Sequence, residues 1–290
     1  MTILKNMLGE TVATIDDFKF GPVVGITMVK DEIDIIEYTV DNMLRQCDNV
    51  IAWDDGSTDG TYEWLCDKTE HLPCDLRVWD DANVDRPGYY QSERMTKMAR
   101  AAYAMGAEWV VPFDADEYWI SACPDYPLIK DVLNAHQPDY GIIKAQVLDH
   151  MATGIASHPI LERLKWYRTE PLAFPKVAAR ATADVVIEQG NHWAKYNVPA
   201  LPTPDHRLIV HHYPYRSPEQ VIKKIRNGAA AYALTDLPAN IGSHWREWGK
   251  LSDEQIIEIF YKWYYRPNPL VNDYMIDGVI QPNMSRWTPS

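Results

Sequence analysis

Asn49-Val50-Ile51-Ala52-Trp53-Asp54-Asp55-Gly56-Ser57-Thr58-Asp59-Gly60-Thr61 reads as a short apolar strand that ends in two acids, a polar turn and a helix start. Asp, Gly and Ser are favoured in turns, and Thr58 or Asp59 can cap a helix that runs through Tyr62, Trp64 and Leu65. Upstream, residues 22–29 form an apolar run of strand length. Ile33, Ile36, Val40, Met43, Leu44 and Cys47 then recur at spacings of three and four, which predicts a helix. Downstream, 76–79 reads as a third strand and 86–88 as a loop. Met95, Met98, Ala99 and Ala102 mark a helix that ends near Gly106, and 108–113 is a fourth strand. This alternation predicts a parallel sheet with helices on both faces. Ligands of such sheets lie beyond the carboxyl ends of the strands, where the acids of this chain stand.

The second half is less regular. Residues 139–148 read as a strand, as do 177–181, 185–188 and 207–213. Residues 150–170 have no clear period and carry Gly154, Pro159 and Pro171 as punctuation, so they read as a loop or lid. Residues 220–234 read as a helix, and Ile256, Ile257, Phe260 and Tyr264 mark another. The end of the chain, with Pro267, Pro269, Pro282 and Pro289, reads as an irregular tail. The expected organisation is a domain over 1–215 and a helical extension over 216–290 packed on it.

With 290 residues the chain can bury a sizeable core. A net charge of −13 and a pI near 5.1 argue against a protein that coats nucleic acid, so extended nucleic-acid binding is not expected. Eleven Trp and seventeen Tyr are many; core packing is the plain reading, sugar-ring platforms the functional one. Cys47, Cys66, Cys74 and Cys123 form no CxxC pair, which fits reduced thiols, with a Cys66–Cys74 disulfide left open. There is no basic-then-apolar leader, and no apolar run reaches the ~20 residues of a membrane helix. A soluble, cytoplasmic protein is the expectation.

The chemistry begins at Asp114-Ala115-Asp116, which follows an apolar strand and precedes Glu117-Tyr118-Trp119. In extended backbone, residues two apart point to one side, so two carboxylates converge where the strand ends. Mg²⁺ or Mn²⁺ takes oxygen ligands and commonly shares carboxylates with substrate phosphates. A DxD alone is unspecific, because acids cluster on surfaces. Asp54 and Asp55 can accept hydrogen bonds from a base N–H or ribose hydroxyls, or can simply belong to a turn. Both acidic strand ends on one sheet are far more specific than either.

These residues resemble family 2 glycosyltransferases of the GT-A fold. Residues 24–28 with Lys30-Asp31-Glu32 look like that family's first strand and acidic turn, and DDGSTDGT is close to its second-strand motif. Residues 106–119, ending DADEYW, resemble its DxD strand, in the subgroup with a DxDE motif. His211-His212-Tyr213-Pro214-Tyr215-Arg216-Ser217-Pro218-Glu219-Gln220, with Lys223, Lys224, Ile225 and Gly228, resembles the closing segment of that subgroup. The match is good over 22–119 and weak over 120–205.

The resemblance implies a Rossmann-like, mostly parallel α/β sheet flanked by helices and a nucleoside-diphosphate sugar donor, most commonly a UDP-sugar. Thr27, Glu32, Asp54, Asp55, Asp114, Arg216 and Lys224 are then the nucleotide-sugar set, and Asp114, Asp116 and His212 the ligands of Mn²⁺ or Mg²⁺. His192 is the rival of His212, and a structural histidine is the alternative for either. Arg216, Lys223 and Lys224 can neutralise a diphosphate, with Arg86 and Arg94 weaker candidates. An inverting reaction needs a carboxylate to deprotonate the acceptor hydroxyl. Asp149 is the first candidate and Glu188 the second, and a retaining outcome stays open. The acceptor is unidentified: a glycan, a protein side chain or a modified nucleobase. A sugar-nucleotide hydrolase, a nucleotidyltransferase and a non-catalytic carbohydrate-binding protein are the competing readings.

Overall fold

The structure is a computed structural model that describes residues 3–5, 11–14, 20–72, 75–80, 88–136, 140–153, 160–168, 170–198, 200–266 and 279–280. Its strands are β1 (Ile3–Lys5), β2 (Thr11–Thr14), β3 (Val23–Val29), β4 (Asn49–Asp54), β5 (Leu76–Asp80), β6 (Trp109–Pro112), β7 (Glu117–Ser121), β8 (Tyr140–Thr153), β9 (Trp166–Arg168), β10 (Lys176–Arg180), β11 (Val186–Ile187), β12 (Ala194–Lys195), β13 (Leu201–His212), β14 (Tyr265–Arg266) and β15 (Val279–Ile280). Its helices are α1 (Ile36–Gln46), α2 (Thr61–His71), α3 (Gln91–Ala104), α4 (Ile129–Asn134), α5 (Ile160–Arg163), α6 (Pro218–Ala233), α7 (Ser243–Trp248) and α8 (Asp253–Trp263). The chain divides into one unit of residues 1–83, 91–146 and 174–210 and a second of 84–90, 147–173 and 211–290. Strands β8 and β13 each begin in the first unit and end in the second.

In the first unit β5, β4, β3 and β6 lie side by side in that order, all parallel. β10 then pairs antiparallel with β6, and the first part of β8 antiparallel with β10. Every residue of β3, β4 and β6 is buried. Strands covered on both faces need such unbroken apolar runs. Helix α1 packs on β4 and β7, α2 on β4 and β5, and α3 on β3 and β6. Helix α1 turns Ile36, Val40 and Met43 inward and carries a polar stripe at three- and four-residue spacing. Thr39 Oγ1 donates to Ala115 O at 2.7 Å, Asn42 Nδ2 to Trp119 O at 2.7 Å, and Gln46 Oε1 accepts from Ile129 N at 2.9 Å. One helix face thus holds the whole segment that carries the DADEYW sequence.

In the second unit β9 pairs antiparallel with the end of β8 and with β15, and β14 lies parallel to the end of β8. Ser217 caps α6, its hydroxyl accepting from Gln220 N, with Pro218 in the first turn. Helix α6 packs on α7 and α8, and Arg226 ties it to their junction through Gly249 O, Leu251 O and Asp253. A side chain at Gly228 would meet the Trp245 ring at 2.7 Å, so only glycine allows that approach.

Three local readings change. Residues 150–170 are not one loop, because β8 continues to Thr153 and α5 and β9 follow. These pieces are each too short to set a period. Helix α2 is entered through Gly60 in the left-handed region, at φ +100°, while Asp59 Oδ1 accepts from Thr61 N. Thr58 and Asp59 are therefore outside the cap position. Ile33 precedes α1 and is exposed. Cys74, and with it the Cys66–Cys74 pairing, lies outside the described residues, as do Arg86 and most of the proline-rich tail. No described helix is long and apolar enough to cross a membrane.

Candidate active site

Strand β3 runs between β4 and β6, so their carboxyl ends gather the acidic segments at one edge of the first unit. Thr27 is fully buried near the end of β3, and its Oγ1 has no hydrogen-bond partner. Asp54 closes β4. Its Oδ2 accepts from Gly56 N at 3.0 Å and Ser57 N at 2.9 Å, while its Oδ1 is buried without a partner. Burial pushes its pKa above the usual carboxylate value, against the hydrogen bonds from Ser57 and Gly56 and the charge of Lys30. Asp55 instead pairs with Arg94 at 2.8 Å, both side chains buried. Glu32 is buried, its N–H donating to Thr61 Oγ1 at 3.0 Å. Asp31 sits in the left-handed region at φ +56° and accepts from Thr58 N at 2.8 Å. The β3 exit and the β4 turn are thus clasped together.

Asp114 is heavily engaged. Its Oδ1 accepts from Gln91 Nε2 at 2.8 Å and Asn191 Nδ2 at 2.9 Å. Its Oδ2 lies 2.5 Å from Lys176 Nζ. The same ammonium reaches Glu117 Oε1 at 2.7 Å and Gly190 O at 2.9 Å. Glu117 Oε2 accepts from Asp114 N and from Trp119 Nε1. Burial alone would lower the pKa of Lys176, but Asp114 and Glu117 outweigh it and raise the ammonium above its ordinary value. Asp116 is buried beside this cluster in sequence, 3% exposed. Glu188 forms an ion pair with Lys195, three residues before the Asn191 that touches Asp114.

Among the described residues no group of three or more His, Cys, Asp and Glu is arranged to hold a metal by itself. A hard cation in a nucleotide site rests on one or two carboxylates plus substrate phosphates, so the Asp116 carboxylate still fits Mn²⁺ or Mg²⁺. Asp114 fits less well, because three donors already occupy its oxygens.

In the second unit Asp149 Oδ1 lies 2.7 Å from His212 Nδ1. An Nδ1–H donating to that carboxylate fixes the orientation of the His212 ring. His211 faces the other way, as alternation along β13 requires, and is buried. His150 Nδ1 lies 2.5 Å from Leu164 O and must donate, so His150 Nε2 accepts from His211 Nδ1–H at 2.8 Å. Burial holds His211 near a pKa of about 4 and His150 well below its usual value. An unfolded histidine takes its proton near 6.5, so stability falls as pH drops from about 6.5 toward 4, by about 1.4 kcal/mol per pH unit for each neutral imidazole. Urea unfolding of the wild type should show this extra loss relative to His211→Gln; equal slopes for the two proteins would refute it. Arg216 is buried and donates to Tyr213 O at 3.1 Å. Lys223 is exposed on α6 and Lys224 half-buried. His192, the rival histidine, lies in the first unit with its Nδ1 on Pro175 O.

No family model and no curated protein matches this chain. Solved structures give weak similarities. TarS of S. aureus, as its 1–349 fragment, is 13% identical over 84% of this chain and 72% of that one, with a TM-score of 0.39. The same fragment in complex with UDP gives 15%, 84%, 72% and 0.36. Glucosyl-3-phosphoglycerate synthase from Mycobacterium tuberculosis, in complex with Mn²⁺, UDP and phosphoglyceric acid, is 18% identical over 50% of this chain and 51% of that one, with a TM-score of 0.30. The chain spans about half the length of that synthase.

Sequence reasoning missed Lys176, Gln91 and Asn191. A lysine opening an otherwise apolar strand, Lys176-Val177-Ala178-Ala179, is the only hint at the first. Asn191 was passed over for its neighbour His192. Its left-handed backbone, φ +59°, turns the amide to Asp114. Arg94, a weaker diphosphate candidate, pairs with Asp55.

Proposed function

We propose that this protein is a metal-dependent glycosyltransferase that moves a sugar from a nucleoside-diphosphate sugar, read as a UDP-sugar, to an acceptor hydroxyl. The observation that carries this reading is the edge where the ends of β4 and β6, on either side of β3, bring Asp54 and Asp55 and the Asp114–Glu117 segment to one side of a parallel sheet. Thr27, Glu32, Asp54 and Asp55 are assigned to the nucleoside. The unpartnered Thr27 Oγ1 and Asp54 Oδ1 are polar atoms that a bound base or ribose can satisfy. Asp114 is assigned to the donor sugar, and Arg216 and Lys224 to the diphosphate.

Asp116 is the carboxylate assigned to Mn²⁺ or Mg²⁺, with His212 as the nitrogen ligand that Asp149 orients. The bound cation neutralises charge that builds on the departing diphosphate. The rest of the chemistry is the protein's own: the acids fix the donor, and a carboxylate takes the proton of the acceptor hydroxyl. Asp149 and Glu188 are the two candidates for that base, with inversion as the expected stereochemistry. Asp149 lies within hydrogen-bond reach of His212, a contact that orients its carboxylate.

A ligand that binds the native state raises its apparent stability. UDP at 100 times its Kd should add about 2.7 kcal/mol, and the melting-temperature rise should require Mn²⁺. A panel of nucleoside diphosphates with and without Mn²⁺ tests this. The absence of any nucleotide-dependent shift would remove the donor reading and favour a carbohydrate-binding protein.

A further inference from the structure

Lys176 is a buried cation in the middle of the acidic sequence that the proposed function gives to donor and metal. It stands at the start of β10, next to β6, and its side chain is 6% exposed. Its three ammonium hydrogens have three oxygen partners: Asp114 Oδ2 at 2.5 Å, Glu117 Oε1 at 2.7 Å and Gly190 O at 2.9 Å. Gly190 can aim its carbonyl there because it adopts φ +82°, and its N–H is held by Gln91 Oε1 at 2.8 Å. The Gln91 amide closes the ring by donating to Asp114 Oδ1 at 2.8 Å. The set is an oxygen cage around a positive charge, built from α3, β10 and the turn that holds Asn191.

We propose that Lys176 is a resident cation of this cage that keeps Asp114 and Glu117 from ligating a divalent metal. The geometry supplies the reason. Asp114 has Oδ1 filled by two amide donors and Oδ2 by the ammonium, so it cannot chelate through both oxygens. Glu117 is fully buried, with one oxygen on Lys176 and the other on the Asp114 N–H and the Trp119 indole. A divalent ion at either carboxylate has to displace an ammonium that already makes three charge-assisted or carbonyl contacts. Asp114 is thereby fixed as an acceptor of constant direction, suited to a sugar hydroxyl. Lys176 acts through Asp114 and is a positioning residue. The assignment of Asp114 to the donor rests on the glycosyltransferase reading; the exclusion of metal from the cage does not.

Removing the ammonium leaves the buried Glu117 carboxylate and the part-exposed Asp114 carboxylate without that cation, which is a site for a hard divalent ion. The test is Mn²⁺ alone, titrated by electron paramagnetic resonance into the wild type, Asp114→Asn, Asp116→Asn, Lys176→Met and Lys176→Arg. Lys176→Met is expected to bind Mn²⁺ at least tenfold tighter than the wild type, and Lys176→Arg to behave as the wild type. Asp114→Asn should change wild-type Mn²⁺ affinity less than threefold but remove the gain when combined with Lys176→Met. If Lys176→Met does not fold, Lys176→Met/Glu117→Gln keeps the cluster's net charge and is expected to gain Mn²⁺ affinity in the same direction. Unchanged or weaker Mn²⁺ binding in the folded lysine variant overturns the proposal. A wild type that binds no Mn²⁺ beside a lysine variant that does would sink the metal part of the proposed function and leave this inference standing.

Discussion

Replacing Asp116 by Asn is expected to lower donor turnover by about 10²–10³-fold while the protein keeps its fold. Asp116 lies just beyond β6 and is buried, so the exchange is isosteric and removes a charge rather than packing. Loss of one group that stabilises developing charge costs about 2.7–4 kcal/mol in the transition state, which is the stated range in rate. The effect should come with loss of the Mn²⁺-dependent part of nucleotide binding, because the carboxylate proposed for the cation is gone. Steady-state hydrolysis of UDP-glucose and UDP-N-acetylglucosamine, followed by UDP release, reads the first effect, and the Mn²⁺-dependent thermal shift with UDP reads the second. Wild-type turnover in the variant would show that Asp116 holds no metal that matters to the reaction. The same exchange at Asp125, on the exposed turn after β7, is the control and should leave both readouts unchanged.

Arg94→Met is expected to cost about 3–5 kcal/mol of stability. Arg94 and Asp55 are 2.8 Å apart, with side chains 7% and 9% exposed. Methionine fills most of the volume but leaves the Asp55 carboxylate buried without its cation. That uncompensated charge, and not the value of the pair itself, sets the penalty. The guanidinium also lies 5.9 Å from the Trp53 ring and touches Met28 Sδ, contacts that methionine partly keeps. At the scale of a domain this size the loss corresponds to a melting-temperature drop on the order of 10 °C. Arg94→Met/Asp55→Asn should recover most of it, since the charge then disappears with its partner. A single variant within about 1 kcal/mol of wild type would mean that Asp55 finds water or another cation in solution.

The parallel half of the fold was legible because its signals are local. Residues 22–29 and 49–53 are apolar runs of strand length, and β3 and β4 form there with every residue buried. The helical spacing of Val40 and Met43 likewise emerges as the inner face of α1. The region 150–170 was not legible, because α5 and β9 are only four and three residues long, too short to set a period. The candidate site divides the same way. Asp54, Asp55, Asp114 and Asp116 announce themselves as acids at the ends of apolar strands. Lys176 and Asn191 reach Asp114 from 62 and 77 residues away, and nothing in their own neighbourhoods says so. A partner fixed only by sheet order is invisible until the order is known. The pairing of Asp149 with His212, 63 residues apart, is the same case.

Helix α1 has a mechanical consequence for how such a site can change. Its first turn is anchored by the Ile36 N–H on Glu32 O, and its middle by Thr39 on Ala115 O and Asn42 on Trp119 O. A stiff rod therefore joins the turn after β3 to the segment after β6. Small displacements at the turn after β3 travel to the acidic segment without being absorbed in a loop. A one-residue insertion between Ile36 and Thr39 would rotate the grip on Ala115 and Trp119 by about 100° relative to the first turn and uncouple the two ends.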